Sequence, residues 1–243
     1  MAKSAPIRIL IALALLVGTV GQIAAQEVGG ELIRDGSFED LKRCPNGVTG
    51  RGKSLSHLKL WTQPTKGTAD MMSTCSRNYG SRAPFNTCGY QHPRDSASYV
   101  GLLADKSDWR EYVTQSFRSA LKKDSTYQIE LWLSLADNSR WASDSVGIGF
   151  TAAPPYSTTS GALTCDTLLL SQGAITDTTN WIPLRFTYTA RGTERHIVIG
   201  CFSRTSKGFI RTGRKRKPLR DWAYYYVDAV SVRLVPTKEV EQE

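Results

Sequence analysis

The chain has 243 residues and a formal net charge of +9, from 31 Lys and Arg against 22 Asp and Glu. This excess of cations favours anionic partners in general and specifies none. After the N-terminal region, no stretch is long and apolar enough to cross a bilayer, which excludes a helical membrane span in the mature chain.

The first 25 residues predict a cleaved secretory signal. Lys3 and Arg8 supply the basic start, residues 9–20 are apolar, and Ala24 and Ala25 precede the expected cut. A membrane anchor is the alternative, but the apolar run is shorter than the ~20 residues that a span needs. We therefore expect an exported chain with a net charge of 9 − 2 = +7, a single domain over residues 26–235 and a short charged tail over residues 236–243.

Short strands with polar turns between them are predicted through most of the mature chain. Residues 126–135 alternate cleanly, with Tyr127, Ile129 and Leu131 on the apolar face and Trp132 on the other. Other strands are predicted at residues 98–103, 111–117, 145–151, 181–189, 195–202 and 224–234. No sustained apolar stripe of helical period is present, so the pattern indicates an antiparallel sandwich or barrel.

Two segments poor in regular signal, residues 43–68 and 152–179, are predicted to be long loops that pack over the sandwich. Five cysteines are found in the mature part: Cys44, Cys75, Cys88, Cys165 and Cys201. Export favours disulfides, with Cys44–Cys75 or Cys75–Cys88 as loop tethers, and the odd count leaves at least one thiol unpaired. Zinc is the alternative, but the chain has no C-x-x-C and no close pair of histidines.

The two ends of the domain are predicted to meet. Residues 35–40, Asp-Gly-Ser-Phe-Glu-Asp, read as a strand leaving a tight turn, and residues 224–232 read as the last strand. Pairing of these strands would close the sandwich and bring Glu39 close to Asp228.

Residues 32–39 resemble the opening strand of galactose-binding-like jelly rolls, the fold of many carbohydrate-binding modules. Residues 113–133 resemble their central hairpin, and residues 226–232 resemble their closing strand. The resemblance implies an all-β, antiparallel jelly-roll β-sandwich with long loops.

A narrower resemblance extends over roughly residues 32–234. Short motifs, among them Trp61-Thr-Gln-Pro-Thr, Gly89-Tyr-Gln and Ser134-Leu-Ala-Asp, recur in the same order in uncharacterised exported envelope proteins. Some members of that family carry this domain ahead of an outer-membrane-protein-A-like domain that anchors to peptidoglycan. This resemblance implies a place at or outside the cell envelope.

Related jelly rolls often hold a structural Ca²⁺ where the first and last strands meet. The resemblance therefore implies that Glu39, Asp228 and a carbonyl of the Gly36 turn supply oxygen ligands to Ca²⁺. Ala229 stands where that closing motif commonly has a second acid. The alternative is that the two carboxylates form ion pairs with basic neighbours such as Arg34 or Arg233.

Two ring-bearing turns are candidate sugar contacts. Trp109 and Arg110 lie in one turn, and Arg140 and Trp141 lie in the other. Sugar sites commonly combine a flat ring with polar groups that fix orientation. Ordinary packing of these rings is the alternative reading.

The most unusual local composition is a basic run between two predicted strands. It should form a hairpin loop that attracts a polyanion such as an acidic glycan, lipopolysaccharide or nucleic acid, although sequence-specific nucleic-acid binding is not expected. Its cations are Arg211, Arg214, Lys215, Arg216, Lys217 and Arg220. A solvated loop that only aids solubility is the alternative.

Motifs of catalysis are missing: the chain has no G-x-S-x-G, no H-E-x-x-H and no Gly-rich phosphate loop. We therefore predict an exported, non-catalytic binding module whose ligand is carbohydrate at or outside the envelope. The alternative is a structural or adhesive envelope protein that contacts another protein or an anionic polymer through the basic hairpin.

Overall fold

A computed structural model of the chain describes residues 30–48, 54–213 and 218–236. Thirteen strands make up the regular structure of these ranges, with short 3-10 turns at Ser54–His57 and Ser206–Gly208. The strands are β1 (Asp70–Ser73), β2 (Phe85–Asn86), β3 (Gly89–Tyr90), β4 (Ser98–Asp105), β5 (Tyr112–Ser116), β6 (Thr126–Leu135), β7 (Trp141–Ser143), β8 (Val146–Thr151), β9 (Thr167–Leu170), β10 (Ile182–Thr189), β11 (His196–Cys201), β12 (Phe209–Arg211) and β13 (Trp222–Leu234). Within the described ranges, no helix is long and apolar enough to cross a membrane.

Two antiparallel sheets form the sandwich. One has the order β1-β4-β13-β6-β10, and the other has the order β5-β11-β8-β9. Ile129, Leu131 and Leu133 of β6 face Ile148, Ile197 and Ile199 of the second sheet in one buried cluster. The predicted all-β antiparallel sandwich is thus confirmed, and the alternation in β6 correctly assigns the core face.

The outer faces of both sheets are partly covered by loops. Tyr112, Val198 and Phe202, on the outside of the four-stranded sheet, pack with Leu163 of the predicted long loop. Residues 83–92, which include the β2–β3 hairpin, cover one half of the outer face of the five-stranded sheet and bury Tyr99 and Tyr226 with Cys88. In the part of the chain that the structure describes, the other half of that face lines an open hollow.

The predicted opening strand over residues 32–39 is wrong. Its backbone contacts with β13 are isolated: the Leu32 N–H donates to the Val232 carbonyl beside a bridge from Glu31 to Arg233, and the Val230 N–H donates to the Gly36 carbonyl. Asp35 and Phe38 instead adopt positive φ angles of 55° and 60°. The Asp35 carboxylate accepts the N–H groups of residues 39 and 40, and this side-chain capping favours a turn over an extended strand.

One disulfide joins Cys44 to Cys75, which confirms one of the two predicted tethers. It fastens the loop after the first turn to the end of β1. Cys88 and Cys201 are buried thiols and Cys165 is a half-buried one, so Cys75–Cys88 does not form. Burial raises the pKa of the Cys88 and Cys165 thiols to about 12, which makes both poor nucleophiles.

Candidate functional site

A row of exposed rings runs along the surface beside the β2–β3 hairpin. Tyr79, Phe85 and Tyr90 are 47%, 45% and 49% exposed. Successive ring centroids lie 5.3 Å apart from Tyr79 to Phe85, 6.4 Å from Phe85 to Tyr90 and 5.3 Å from Tyr90 to His92. We call these four residues the aromatic strip. Neighbouring rings are inclined by 61°, 51° and 88°, so the strip is a row of rings in tilted and edge-to-face contact.

The aromatic strip is held by the register of the hairpin. Phe85 pairs directly with Tyr90, so the two rings project from the same face of the hairpin. Glycine is required at position 89, the first residue of β3, because an added Cβ would lie 2.7 Å from the backbone nitrogen of Asp137. The Tyr90 N–H donates to the Asp137 carboxylate at 2.8 Å.

Asn86 anchors the hairpin to the sheet below. The side-chain oxygen of Asn86 accepts hydrogen bonds from the Tyr226 hydroxyl at 2.9 Å and from the Cys88 N–H at 3.0 Å. Its side-chain nitrogen lies 3.2 Å from the Tyr99 hydroxyl. All of these groups are buried. The exposed rings therefore stand on a fully hydrogen-bonded base.

A hollow of about 450 Å³ adjoins the aromatic strip. Phe85, Tyr90 and His92 line one part of it, and polar side chains line the rest. Those polar residues are Gln91, Asp137, Thr178 and Thr179. Flat apolar faces beside amide, carboxylate and hydroxyl groups suit a ligand that presents both C–H and O–H surfaces.

A second, larger hollow of about 680 Å³ occupies the open half of the five-stranded sheet. Trp132 lies in it, facing outward as its strand alternation predicts, but guanidinium groups cover its ring. Arg94 lies 4.2 Å and Arg185 5.4 Å from the ring centroid. The Trp132 indole N–H and Arg185 both bind the Glu130 carboxylate, so the polar groups here largely satisfy one another.

Glu39 and Asp228, which the sequence predicts to lie close together, both accept hydrogen bonds from one segment, residues 94–98. Glu39 accepts the Ala97 N–H at 2.9 Å and the Ser98 hydroxyl at 3.3 Å. The fully buried Asp228 accepts the N–H groups of Arg94 at 2.8 Å and Asp95 at 3.0 Å. The two carboxylates thus hold both ends of the segment before β4 by hydrogen bonds. Neither carboxylate forms an ion pair with Arg34 or Arg233, which was the alternative prediction; Arg233 pairs with Glu31.

Hydrogen-bond donors face the oxygens that the jelly-roll resemblance assigns to Ca²⁺, so a bound ion would have to displace them. N–H and O–H donors face the carboxylate oxygens of Glu39 and Asp228, and the Gly36 carbonyl accepts the Val230 N–H at 2.9 Å. Within residues 30–48, 54–213 and 218–236, no group of three or more His, Cys, Asp or Glu is arranged for a metal. We expect calorimetric titration of Ca²⁺ into chelator-treated protein to give no binding heat and no thermal shift; saturable heat would restore the predicted Ca²⁺ site.

Trp109 and Arg110 are structural. The Arg110 side chain is 1% exposed and donates to the carbonyls of Ser203 and Trp109, with its guanidinium over the Phe209 ring. The Trp109 indole N–H donates to the Glu111 carboxylate. Burial raises the pKa of Glu111, although the hydrogen bonds that this carboxylate accepts act in the opposite direction. At 1% exposure the Arg110 side chain is not available to a surface ligand in this structure.

Arg140 and Trp141 lie beside the basic run, although the sequence separates the two groups widely. β7 pairs with β12 so that Trp141 is opposite Arg211, and Ser139 bridges to Arg220. Trp141 packs against the core, and Lys106 lies 4.1 Å from its ring centroid. Arg214, Lys215, Arg216 and Lys217 fall outside the described residues.

The aromatic strip was missed because its residues occupy a turn-rich segment with no extended strand pattern. The available signal was the clustering of Tyr79, Phe85, Tyr90 and His92 among Gly, Pro, Ser and Asn residues. Apolar rings in such a segment have no strand alternation that would direct them to the core. A ring cluster within predicted turns is thus the pattern that would have indicated this site.

No family model and no curated protein matches the chain. Solved structures do: the CBM22-1 xylan-binding domain of Paenibacillus barcinonensis Xyn10C is 14% identical, with a TM-score of 0.44 over 86% of this chain and 97% of that one. A CBM4 structure is 17% identical, with a TM-score of 0.42 over 83% of this chain and 99% of that one. The K3 adhesin domain of Lys-gingipain from Porphyromonas gingivalis w83 is 10% identical, with a TM-score of 0.40 over 84% of this chain and 98% of that one. The predicted resemblance to jelly-roll carbohydrate-binding modules thus recurs among solved structures, while the sandwich itself is defined by the strand order of this chain.

Proposed function

We propose that this chain is an exported, non-catalytic carbohydrate-binding module and that the aromatic strip is its sugar-contacting surface. The observation that carries the proposal is the row of exposed rings beside a polar hollow. Pyranose rings present apolar C–H faces to aromatic side chains and hydroxyl groups to amides and carboxylates. Export is supported by the N-terminal signal pattern and the Cys44–Cys75 disulfide.

The strip is preferred to the other rings because close to half of the surface of Tyr79, Phe85 and Tyr90 is exposed. Trp132 is covered by Arg94 and Arg185, and Trp141 is covered by Lys106. Trp109 is half-buried and bonded to Glu111. A sugar could reach any of these rings only by displacing a contact that already exists, whereas the strip is open.

The test is a glycan array followed by calorimetry on the glycan that binds. Replacing Tyr90 with alanine should weaken binding at least about tenfold, equivalent to about 1.4 kcal/mol, because a central anchor ring is lost. Phe85→Ala should give a similar loss. Trp109→Ala and Trp141→Ala should leave the affinity within about threefold if both variants stay folded.

Tyr156→Ala is the matched control, since Tyr156 is 78% exposed and lies outside the strip. Its affinity should equal that of the parent chain. Absence of any bound glycan, or an equal loss in the Tyr156 variant, would overturn the proposal. Release of sugar from a polysaccharide panel would instead identify an enzyme, and co-purification of a fixed protein partner without a glycan signal would favour the adhesive alternative.

A further inference from the structure

The narrow ribbon at one end of the sandwich gathers cations from segments that are distant in sequence. Its middle segment, residues 138–141, lies between residues 211–212 on one side and Arg220 on the other. The Thr212 N–H donates to the Arg140 carbonyl at 3.0 Å, and the Arg140 N–H donates to the Arg220 carbonyl at 3.1 Å. Neighbouring extended segments lie about 5 Å apart, so Arg211, Arg140 and Arg220 originate within about 10 Å of one another.

A fourth cation joins them through Trp141. The Lys106 ammonium lies 4.1 Å from the centroid of the Trp141 ring, and the Trp141 indole N–H donates to Asp221 at 2.7 Å. Asp221 also pairs with Arg140 at 3.2 Å. Trp141 therefore positions cations, a role different from the predicted stacking against a sugar.

The positive charge on this ribbon is least compensated at Arg211 and Arg220. Lys106, Arg140, Arg211 and Arg220 give four positive charges against three acids, which are Asp221 and the two in the turn of Lys106, Asp105 and Asp108, so the net charge is 4 − 3 = +1. Among the described residues no ion pair is formed by Lys106, Arg211 or Arg220, and all three are exposed. In the turn that carries Lys106, Asp105 accepts the N–H groups of Ser107 and Trp109, and Asp108 is an exposed acid.

Cations this close act as one field, because their separation is comparable to the screening length of about 8 Å at physiological salt. Guanidinium groups donate in a planar fork that matches carboxylate and sulfate oxygens. Among residues 30–48, 54–213 and 218–236, no ion pair uses the guanidinium groups of Arg211 and Arg220. The surface thus suits a chain of repeated negative charges better than a single small anion.

We propose that this ribbon is a second binding site, distinct from the aromatic strip, that takes an acidic polysaccharide bearing carboxylate or sulfate groups. A single-stranded nucleic acid would need open rings on which its bases could stack. Here Lys106 covers Trp141, while the half-buried Trp222 contacts Arg220 and Tyr224. Charge without a stacking platform favours the acidic glycan.

The test measures binding of the full mature chain to polygalacturonate, dextran sulfate, neutral dextran and single-stranded DNA over a series of salt concentrations. The double variant Arg211→Gln/Arg220→Gln should bind the acidic glycans at least about tenfold more weakly, and the slope of log affinity against log salt should fall by about one to two. Lys122→Gln/Lys123→Gln removes the same charge from an exposed turn elsewhere and is the matched control. It should change affinity less than about threefold.

The proposal is overturned if the parent chain binds neither acidic glycan, if the control loses as much affinity as the ribbon variant, or if DNA binds more tightly than both acidic glycans. Neutral-glycan binding, measured on the same variants, should be unchanged. The Tyr90→Ala variant should in turn bind acidic glycans as the parent chain does. The proposal for the ribbon and the proposal for the aromatic strip can therefore fail independently of each other.

Discussion

Replacing Gly36 with alanine should destabilise the fold by at least about 3 kcal/mol, near the upper end for overpacking a tight contact. A Cβ built on Gly36 would lie 1.9 Å from the Val230 carbonyl oxygen, which is backbone and has no flexible end that could move away. The Gly36 carbonyl also accepts the Val230 N–H at 2.9 Å. An alanine would therefore separate the first turn from the last strand.

Urea unfolding followed by tryptophan fluorescence measures this effect, and Trp61 is a suitable local reporter because its buried indole donates to the Asp35 carbonyl at 2.9 Å. The control is Gly30→Ala, since nothing lies within 4 Å of the Cβ that would be added there. Gly30→Ala should unfold at the midpoint of the parent chain. Equal midpoints for all three proteins would show that the turn and the last strand do not touch as described.

Replacing Asp228 with alanine should have the second large effect, a loss of about 3 kcal/mol at pH 5. Its carboxylate accepts three backbone N–H groups, those of Arg94, Asp95 and Ala229, and alanine would leave these donors without their acceptor. The released segment leads into β4, which pairs with β13. Loss of hydrogen-exchange protection at residues 94 and 95 would locate the damage.

The cost of this substitution should depend on pH. Burial raises the pKa of Asp228 to about 7, against the opposing effect of the three N–H donors, whereas the unfolded chain keeps a value near 3.8. Between these two values the folded state binds more protons than the unfolded state, so stability falls as pH rises through this window and the contribution is lost above pH 7. From pH 5 to pH 8 the parent chain should lose on the order of 2 kcal/mol through this group.

Asp228→Asn is the matched control, because it keeps the shape of the side chain and does not titrate. The free energy of unfolding of the parent chain minus that of this variant should fall by on the order of 2 kcal/mol from pH 5 to pH 8, because only the parent chain titrates at this position. Carbon-13 NMR of the Asp228 carboxyl would read the pKa directly. A titration midpoint near 4, with no pH dependence in the stability difference, contradicts this account.

The sheets were predictable from sequence because burial of one face imposes a period of two. The strand predicted at residues 126–135 matches β6 at both ends, and its odd-numbered residues are the ones that face the core. The first turn was not predictable in this way. Residues 32–39 resemble the opening strand of jelly-roll domains, but the Asp35 side chain caps the following N–H groups and selects a turn.

The candidate sites were harder to predict because neighbours in sequence can face opposite ways. Trp109 and Arg110 look alike as turn residues, yet Arg110 is buried against Ser203, on a segment far along the chain. Conversely, the Arg140 turn and the basic run looked like separate features until strand pairing joined them. Contacts of long sequence separation decide both cases, and local pattern carries no information about them.

The anchoring of the hairpin through Asn86 also bears on the thermodynamics of recognition. Because Asn86 binds the Tyr99 and Tyr226 hydroxyls in the sheet, the rings above it are pre-organised before a ligand arrives. A ligand that stacks on them spends little of its binding energy on ordering the loop, and less conformational entropy is lost on association. Specificity could then change through substitution of the outward-facing rings alone, while the hydroxyl network beneath continues to hold the hairpin in place.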